Sequence, residues 1–199
     1  MKVLCFGDSL TAGTPGYEPG YGGDVRSQYG FWMLEEAKKA GYDDLQFTNR
    51  GVPGELASMM FSRFRRTLSE EEYDVVIIIG GSNDVGWGNE PVTIHASLNR
   101  LWELGIENSV TVIASTIPPI GSVYPTIQSA QQNLNELIIS SEKPGIFIVD
   151  VFSALASRDR LLLPVYDSGD GLHLSVEGYR KMGETIWKEA LMKHILSSS

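Results

Sequence analysis

Apolar positions along this chain switch repeatedly between two spacings. Short apolar runs of strand length occur at Val3–Phe6, Leu45–Thr48, Tyr73–Ile79, Val110–Ala114 and Ile146–Val149. Between them, apolar residues recur at helical spacing on otherwise polar stretches. The central run holds only β-branched residues from Val75 to Ile79 and so has no polar face. A strand apolar on both sides suits the middle of a parallel sheet that helices cover on each face.

The polar-rich stretches predict helices near Phe31–Ala40, stopped by Gly41, and from about Leu56 to Thr67. Another opens at Pro91, because proline is tolerated at the first helical position. Its buried stripe is Ile94, Leu98, Leu101 and Trp102, and Gly105 offers a cap. A further helix spans Ile127–Ile139. The last opens after Ser175, a suitable N-cap, with Tyr179, Met182, Ile186 and Ala190 facing inward. This alternation predicts a three-layer α/β/α sandwich with a mainly parallel five-stranded sheet, forming one domain over residues 1–199. No repeat, low-complexity run or linker divides it.

In open sheets of this kind, ligands bind beyond the carboxyl ends of the strands. The polar and glycine-rich clusters fall there: Gly7-Asp8-Ser9 after the first run, NRGVPGE (49–55) after the second, and GGSND (80–84) after the third. DSGDGLHLS (167–175) lies between the fifth run and the last helix. Ester hydrolysis by a serine needs a base, a group that orients the base, and donors for the oxyanion. The base must be poised near neutral pH, which points to histidine. Of the 3 histidines, His95 and His194 sit in helical patterns and read as helix surface. His173 lies in the fourth cluster, with Asp170 before it.

The blocks GDSL (7–10), GVPGE (51–55), GSND (81–84) and DGLHLS (170–175) resemble, in order and spacing, the four signature blocks of the GDSL, or SGNH, hydrolases. The resemblance spans nearly the whole chain. It implies a flavodoxin-like sandwich and a serine esterase or acylhydrolase acting through an acyl-enzyme. Ser9 would be the nucleophile and, through its backbone N–H, an oxyanion donor. The backbone N–H of Gly54 and the side-chain amide of Asn83 would complete the oxyanion hole. His173 would be the base and Asp170 its orienting partner. Leu56 departs from the pattern, since many relatives carry threonine there. Asp8 and Asp84 read as carboxylates that fix loops. No metal or organic cofactor is implied, and the partner is a small-molecule ester. Two alternatives stand beside this reading: a non-catalytic glycan- or ligand-binding module on the same fold, and an acyltransferase using the same site. A phosphate or flavin site fits less well, because Asp8 would repel a phosphate.

Charge narrows the partners further. A formal net charge of -9 opposes binding to nucleic acid and docking on anionic membranes. Cys5 is the only cysteine, so no internal disulfide or cysteine-based zinc site is expected. The apolar stretch in MKVLCFGDS is too short for a signal peptide or a membrane span, which makes the cytoplasm the expected location. The sequence carries no signal for oligomeric state.

Around the site, the long segment 11–30 is expected to wall or cover Ser9, with Tyr17 and Tyr21 as substrate contacts. The segment 116–125 is expected to form a second wall through Ile117. Trp87 and Tyr166 would add aromatic surface suited to a modest acyl group or a sugar ring. The charged run FSRFRRTLSEE (61–71) reads as a solvated helix face followed by an acidic turn.

Overall fold

A computed structural model describes residues 1–121 and 124–195. In chain order its strands are β1 (Lys2–Gly7), β2 (Tyr17–Glu18), β3 (Gly22–Gly23), β4 (Gln46–Gly51), β5 (Val75–Ile79), β6 (Thr111–Ser115) and β7 (Ile146–Val149). The helices are α1 (Ser9–Ala12), α2 (Tyr29–Lys39), α3 (Met60–Glu70), α4 (Ser82–Gly86), α5 (Pro91–Glu107), α6 (Pro125–Ile139), α7 (Val151–Leu155) and α8 (Val176–Ile186). A π-helical stretch, Trp187–Ile195, continues α8. Five strands form one sheet in the order β4-β1-β5-β6-β7, and every pairing in it is parallel. β2 and β3 form a small antiparallel hairpin of their own.

The pleat explains why β5 is apolar throughout. Val75, Ile77 and Ile79 join Val3 and Cys5 in a core covered by Met33 of α2 and by Tyr179, Met182 and Ile186 of α8. Val76 and Ile78 join Leu4 and Phe6 in a second core under Phe64 of α3, Trp102 of α5 and Leu134 of α6. Successive residues point to opposite faces, so a strand sandwiched between helices must be apolar at each position. No helix among the described residues is long and apolar enough to cross a membrane.

Several boundaries move. β4 runs through Asn49, Arg50 and Gly51, held by pairing with β1 although those residues lack an apolar pattern. Gly105 does not cap α5. The helix passes through it, and a Cβ there would lie 2.6 Å from Val112 Cγ2, so glycine lets α5 approach β6 closely. Ser175 does cap α8, accepting from Gly178 N–H at 3.2 Å. Segment 11–30 is folded rather than a plain loop. Tyr17 N–H donates to Gly13 O at 2.8 Å, and Tyr179 hydroxyl donates to Thr14 O at 2.9 Å.

The order of the main sheet places a crossing point between β1 and β5. From β1 the chain goes outward to β4, then returns across the sheet to β5. The loops after β1 and β5 therefore diverge and leave a crevice at their carboxyl ends.

Candidate active site

The corner after β1 is sharp because Gly7 allows it. A Cβ on Gly7 would lie 2.0 Å from Ile79 O, so only glycine lets β1 end tight against β5. Asp8 then caps α1, its Oδ1 accepting from Leu10 N–H at 3.0 Å. Ser9 is the first helical residue, where the backbone N–H has no acceptor within the helix.

Opposite Ser9 stands the loop before α8. His173 Nε2 lies 3.0 Å from Ser9 Oγ, and His173 Nδ1 lies 2.6 Å from Asp170 Oδ2. Asp170 Oδ1 also accepts from the N–H groups of Leu172 and His173, at 2.9 and 2.8 Å. Burial alone would raise the Asp170 pKa. Hydrogen bonds from the His173 ring and from these two backbone groups outweigh it and bring the pKa down to about 2. An ionised Asp170 accepts from Nδ1–H, which leaves Nε2 as the acceptor for the serine hydroxyl. The loop itself is built around Asp167, whose Oδ1 accepts from Gly169 and Gly171 N–H at 2.8 and 3.0 Å. Sequence reasoning did not single out Asp167, although its spacing to these glycines is that of a side chain closing its own loop.

Gly54 sits in a tight turn that its sequence dictates. Glu55 N–H donates to Val52 O at 3.2 Å, with Pro53 and Gly54 in the central positions and Gly54 at φ +77°. That is type II turn chemistry. A Cβ on Gly54 would meet nothing within 4 Å, so the positive φ selects glycine there. Gly51 differs: a Cβ there would lie 2.1 Å from Ala12 N, so this residue lets β4 pack under α1.

Asn83 Nδ2 donates to Glu55 O at 3.1 Å, which joins the loop after β5 to the Gly54 turn. Asp84 reinforces the junction, accepting from Ala57 N–H at 2.9 Å and from Asn89 Nδ2 at 3.3 Å. Both Asp8 and Asp84 thus hold loops, as their positions in the sequence suggested.

A cavity of about 270 Å³ adjoins Asp170 and is lined by Asn83, Gly86, Trp87, Ile120 and Leu172, among others. Trp87 is 80% exposed at its edge. Ile117 is not part of it. This residue is 0% exposed in the core below, its N–H held by Asn135 Oδ1 at 2.9 Å, and Ile120 reaches the cavity instead. Gly121 N–H donates to Gly171 O at 2.6 Å, fastening this second wall to the histidine loop. Tyr17 lines a separate groove of about 600 Å³ beside β4 and α3, which contains none of Ser9, Asp170 or His173. Tyr21 projects into solvent, and Tyr166 packs partly buried against the first core.

Arg63 corrects the reading of residues 61–71 as a solvated face. Its guanidinium lies 3.8 Å from the Phe6 ring centroid and pairs with Glu55. It also donates to Arg50 O at 2.6 Å and Gly7 O at 3.2 Å. The sequence did hold a signal, since Arg63 falls at i+3 from Met60 and i−4 from Thr67, both buried on the apolar face of α3. Arg65 and Arg66 are exposed, as expected for such a run.

His95 is partly buried on α5, its Nε2 at 2.7 Å from Ser141 Oγ. The side chain of His194 lies outside the described residues. Cys5 is buried in the first core, and burial raises its thiol pKa to about 12. Among the described residues, no group of three or more His, Cys, Asp or Glu is arranged to hold a metal ion.

Search of curated proteins gives no match. Solved structures with the same fold include a member of the lipolytic protein G-D-S-L family from Veillonella parvula, at 24% identity and TM-score 0.74, covering 97% of this chain and 99% of that one. A carbohydrate acetylesterase from Sinorhizobium meliloti superposes at TM-score 0.76 with 18% identity, covering 96% and 98%. A GDSL-like lipase from Bacteroides thetaiotaomicron superposes at TM-score 0.73 with 21% identity, covering 98% and 89%. The family model of the GDSL-like lipase/acylhydrolases matches residues 5–181. The chain therefore belongs to the GDSL-like lipase/acylhydrolase family and is a carboxylic ester hydrolase.

Proposed function

We propose that this protein is a serine esterase that cleaves short-chain or acetyl esters, including those of carbohydrates, through an acyl-enzyme on Ser9. One observation carries the reading: the unbroken relay from Ser9 Oγ to His173 Nε2 at 3.0 Å and from His173 Nδ1 to Asp170 at 2.6 Å. His173 takes the serine proton as Oγ attacks the ester carbonyl. The resulting oxyanion accepts from the N–H groups of Ser9 and Gly54 and from the second amide N–H of Asn83. Collapse breaks the ester bond, and His173 returns the proton to the departing alcohol. Water then attacks the acyl-enzyme with His173 again as base, releasing the carboxylate and free Ser9.

The small cavity beside Asn83 supports a short acyl or small alcohol group, and the exposed face of Trp87 supports stacking on a sugar ring. The fold is shared with a carbohydrate acetylesterase, which agrees with this choice. Hydrolysis of p-nitrophenyl esters from acetate to octanoate tests the reading, with Ser9→Ala alongside. Activity should be highest on the short esters and fall by at least about a thousandfold in Ser9→Ala. Undiminished hydrolysis in Ser9→Ala would refute it. An acetylated-sugar panel, with Trp87→Ala compared at each sugar, tests the alcohol side. Trp87→Ala should raise KM on sugars more than on p-nitrophenyl acetate.

A further inference from the structure

We infer that Arg63 is a positioning residue for catalysis: acting through Glu55, it holds the oxyanion donors of Gly54 and Asn83 in place relative to Ser9. The inference rests on the serine esterase reading above and adds to it a residue outside all four sequence blocks.

The observations form a chain of bonds. Arg63 Nε donates to Glu55 Oε1 at 3.0 Å, and its Nη2 donates to Glu55 Oε2. Both side chains are largely withdrawn from solvent, at 18% and 10% exposure. This is a two-pronged pairing, which fixes direction as well as distance. The same guanidinium donates to the carbonyls of Arg50 and Gly7, at the ends of β4 and β1. Gly7 O also accepts from Val52 N–H at 2.9 Å, so the start of the Gly54 turn and the arginine share one anchor. The backbone of Glu55 then does two further things. Its N–H closes the turn containing Gly54, and its carbonyl accepts from the Asn83 amide.

Each oxyanion donor is therefore referred to the same cation. Ser9 follows Gly7 by two residues, Gly54 precedes Glu55, and Asn83 is bonded to the Glu55 carbonyl. An oxyanion hole works only when its donors are fixed before the charge develops. Displacing such groups by about 1 Å lowers turnover on the order of a hundredfold. Lysine could not replace Arg63, because an ammonium cannot fork across a carboxylate while reaching two carbonyls.

The test is steady-state hydrolysis of p-nitrophenyl acetate by the full chain and by Arg63→Met, Arg63→Lys, Glu55→Gln and Asn83→Ala. The Arg63→Met/Asn83→Ala double variant, Ser9→Ala and the exposed control Arg65→Met complete the set. Arg63→Met should lower kcat by about tenfold or more with KM changed less than about threefold. Arg63→Lys and Glu55→Gln, which preserve most of the packing, should show the same kcat-selective loss of at least about fivefold. In the Asn83→Ala background, Arg63→Met should cost several-fold less than it does in the native chain, since part of its action passes through that amide. Arg65→Met should be silent. A purely structural role would lower the thermal midpoint without a kcat-selective loss, and its effect would multiply fully with Asn83→Ala. Either result in a folded variant overturns the inference. If Arg63→Met does not fold, the Arg63→Lys and Glu55→Gln values decide. Hydrolysis that persists in Ser9→Ala would remove the esterase reading and this inference with it. Ser9-dependent hydrolysis with unaltered kcat in the Arg63 and Glu55 variants would remove the inference alone.

Discussion

Asp8 precedes Ser9 and is fully buried, with Oδ1 committed to capping α1 and Oδ2 without a hydrogen-bond partner. Burial raises its pKa most; the Leu10 N–H opposes this, and nearby Asp84 and Glu55 add to it, giving about 7 against an ordinary 3.8. The folded state therefore holds a proton that the unfolded state has lost between about pH 4 and 7. Stability should fall as pH rises through that window and level off above it, where both states are ionised. Asp8→Asn removes this contribution. Its stability relative to the native chain should rise from pH 4.5 to 7 and then stay constant, as measured by urea unfolding across pH. A constant difference would mean that Asp8 is not the titrating group. Asp170 behaves oppositely. With a pKa held at about 2, it stays charged wherever the enzyme works and keeps accepting from the His173 ring. Asp170→Asn should lower kcat on the order of ten-thousandfold by favouring the wrong imidazole tautomer.

Two glycines of one block act differently at the scale of elements. Gly54→Ala should destabilise by about 1–2 kcal/mol, the cost of a side chain at positive φ, because the new methyl meets open space. Gly51→Ala should cost at least twice as much, because its methyl would collide with the backbone of α1 and push Ser9 with it. Denaturant unfolding of both variants checks the order, and kcat should collapse in Gly51→Ala as well. The four blocks were legible because each packs its chemistry into a few consecutive residues, three of them directly after a strand and the fourth just before α8. Arg63 was not legible as part of the site. Its register on α3 places it beside the buried Met60 and Thr67, but nothing in the charged run tells that α3 docks at the ends of β1 and β4, where the guanidinium meets Glu55. Ile117 erred in the other direction: an apolar residue after a strand looks the same in sequence whether it lines a cavity or fills the core under it. The extension of β4 through Asn49 and Arg50 was hidden for a related reason, since an edge strand can be held by its ladder without apolar side chains.

Across the whole molecule, the sheet separates two cores that share no side chains, and β1, β5, β6 and β7 each give residues to both. Met33 belongs to one and Phe64 to the other. Met33→Ala should cost about 2–5 kcal/mol and Phe64→Ala about 3–5 kcal/mol. The double variant should show their sum within about 0.5 kcal/mol, because no contact links the two sites. If the chain is one cooperative unit, each variant unfolds in a single transition seen equally by fluorescence and circular dichroism; separate transitions would argue for independent subunits of structure. The same sheet gives the site its form. With β4 and β5 on opposite sides of β1, it brings Ser9 and the loops that carry Gly54 and Asn83 together at the carboxyl ends of its strands, and His173 reaches Ser9 from the loop before α8.

The central claim is that Ser9 is the nucleophile driven by His173. Intact-mass measurement and peptide mapping after treatment with a p-nitrophenyl alkylphosphonate test it most directly, because the reagent leaves a stable tetrahedral adduct on an activated serine. A single adduct on Ser9, absent from Ser9→Ala and formed far more slowly by His173→Ala, is the expected result. An adduct on another residue, or labelling of Ser9 that His173→Ala leaves unchanged, would contradict the account.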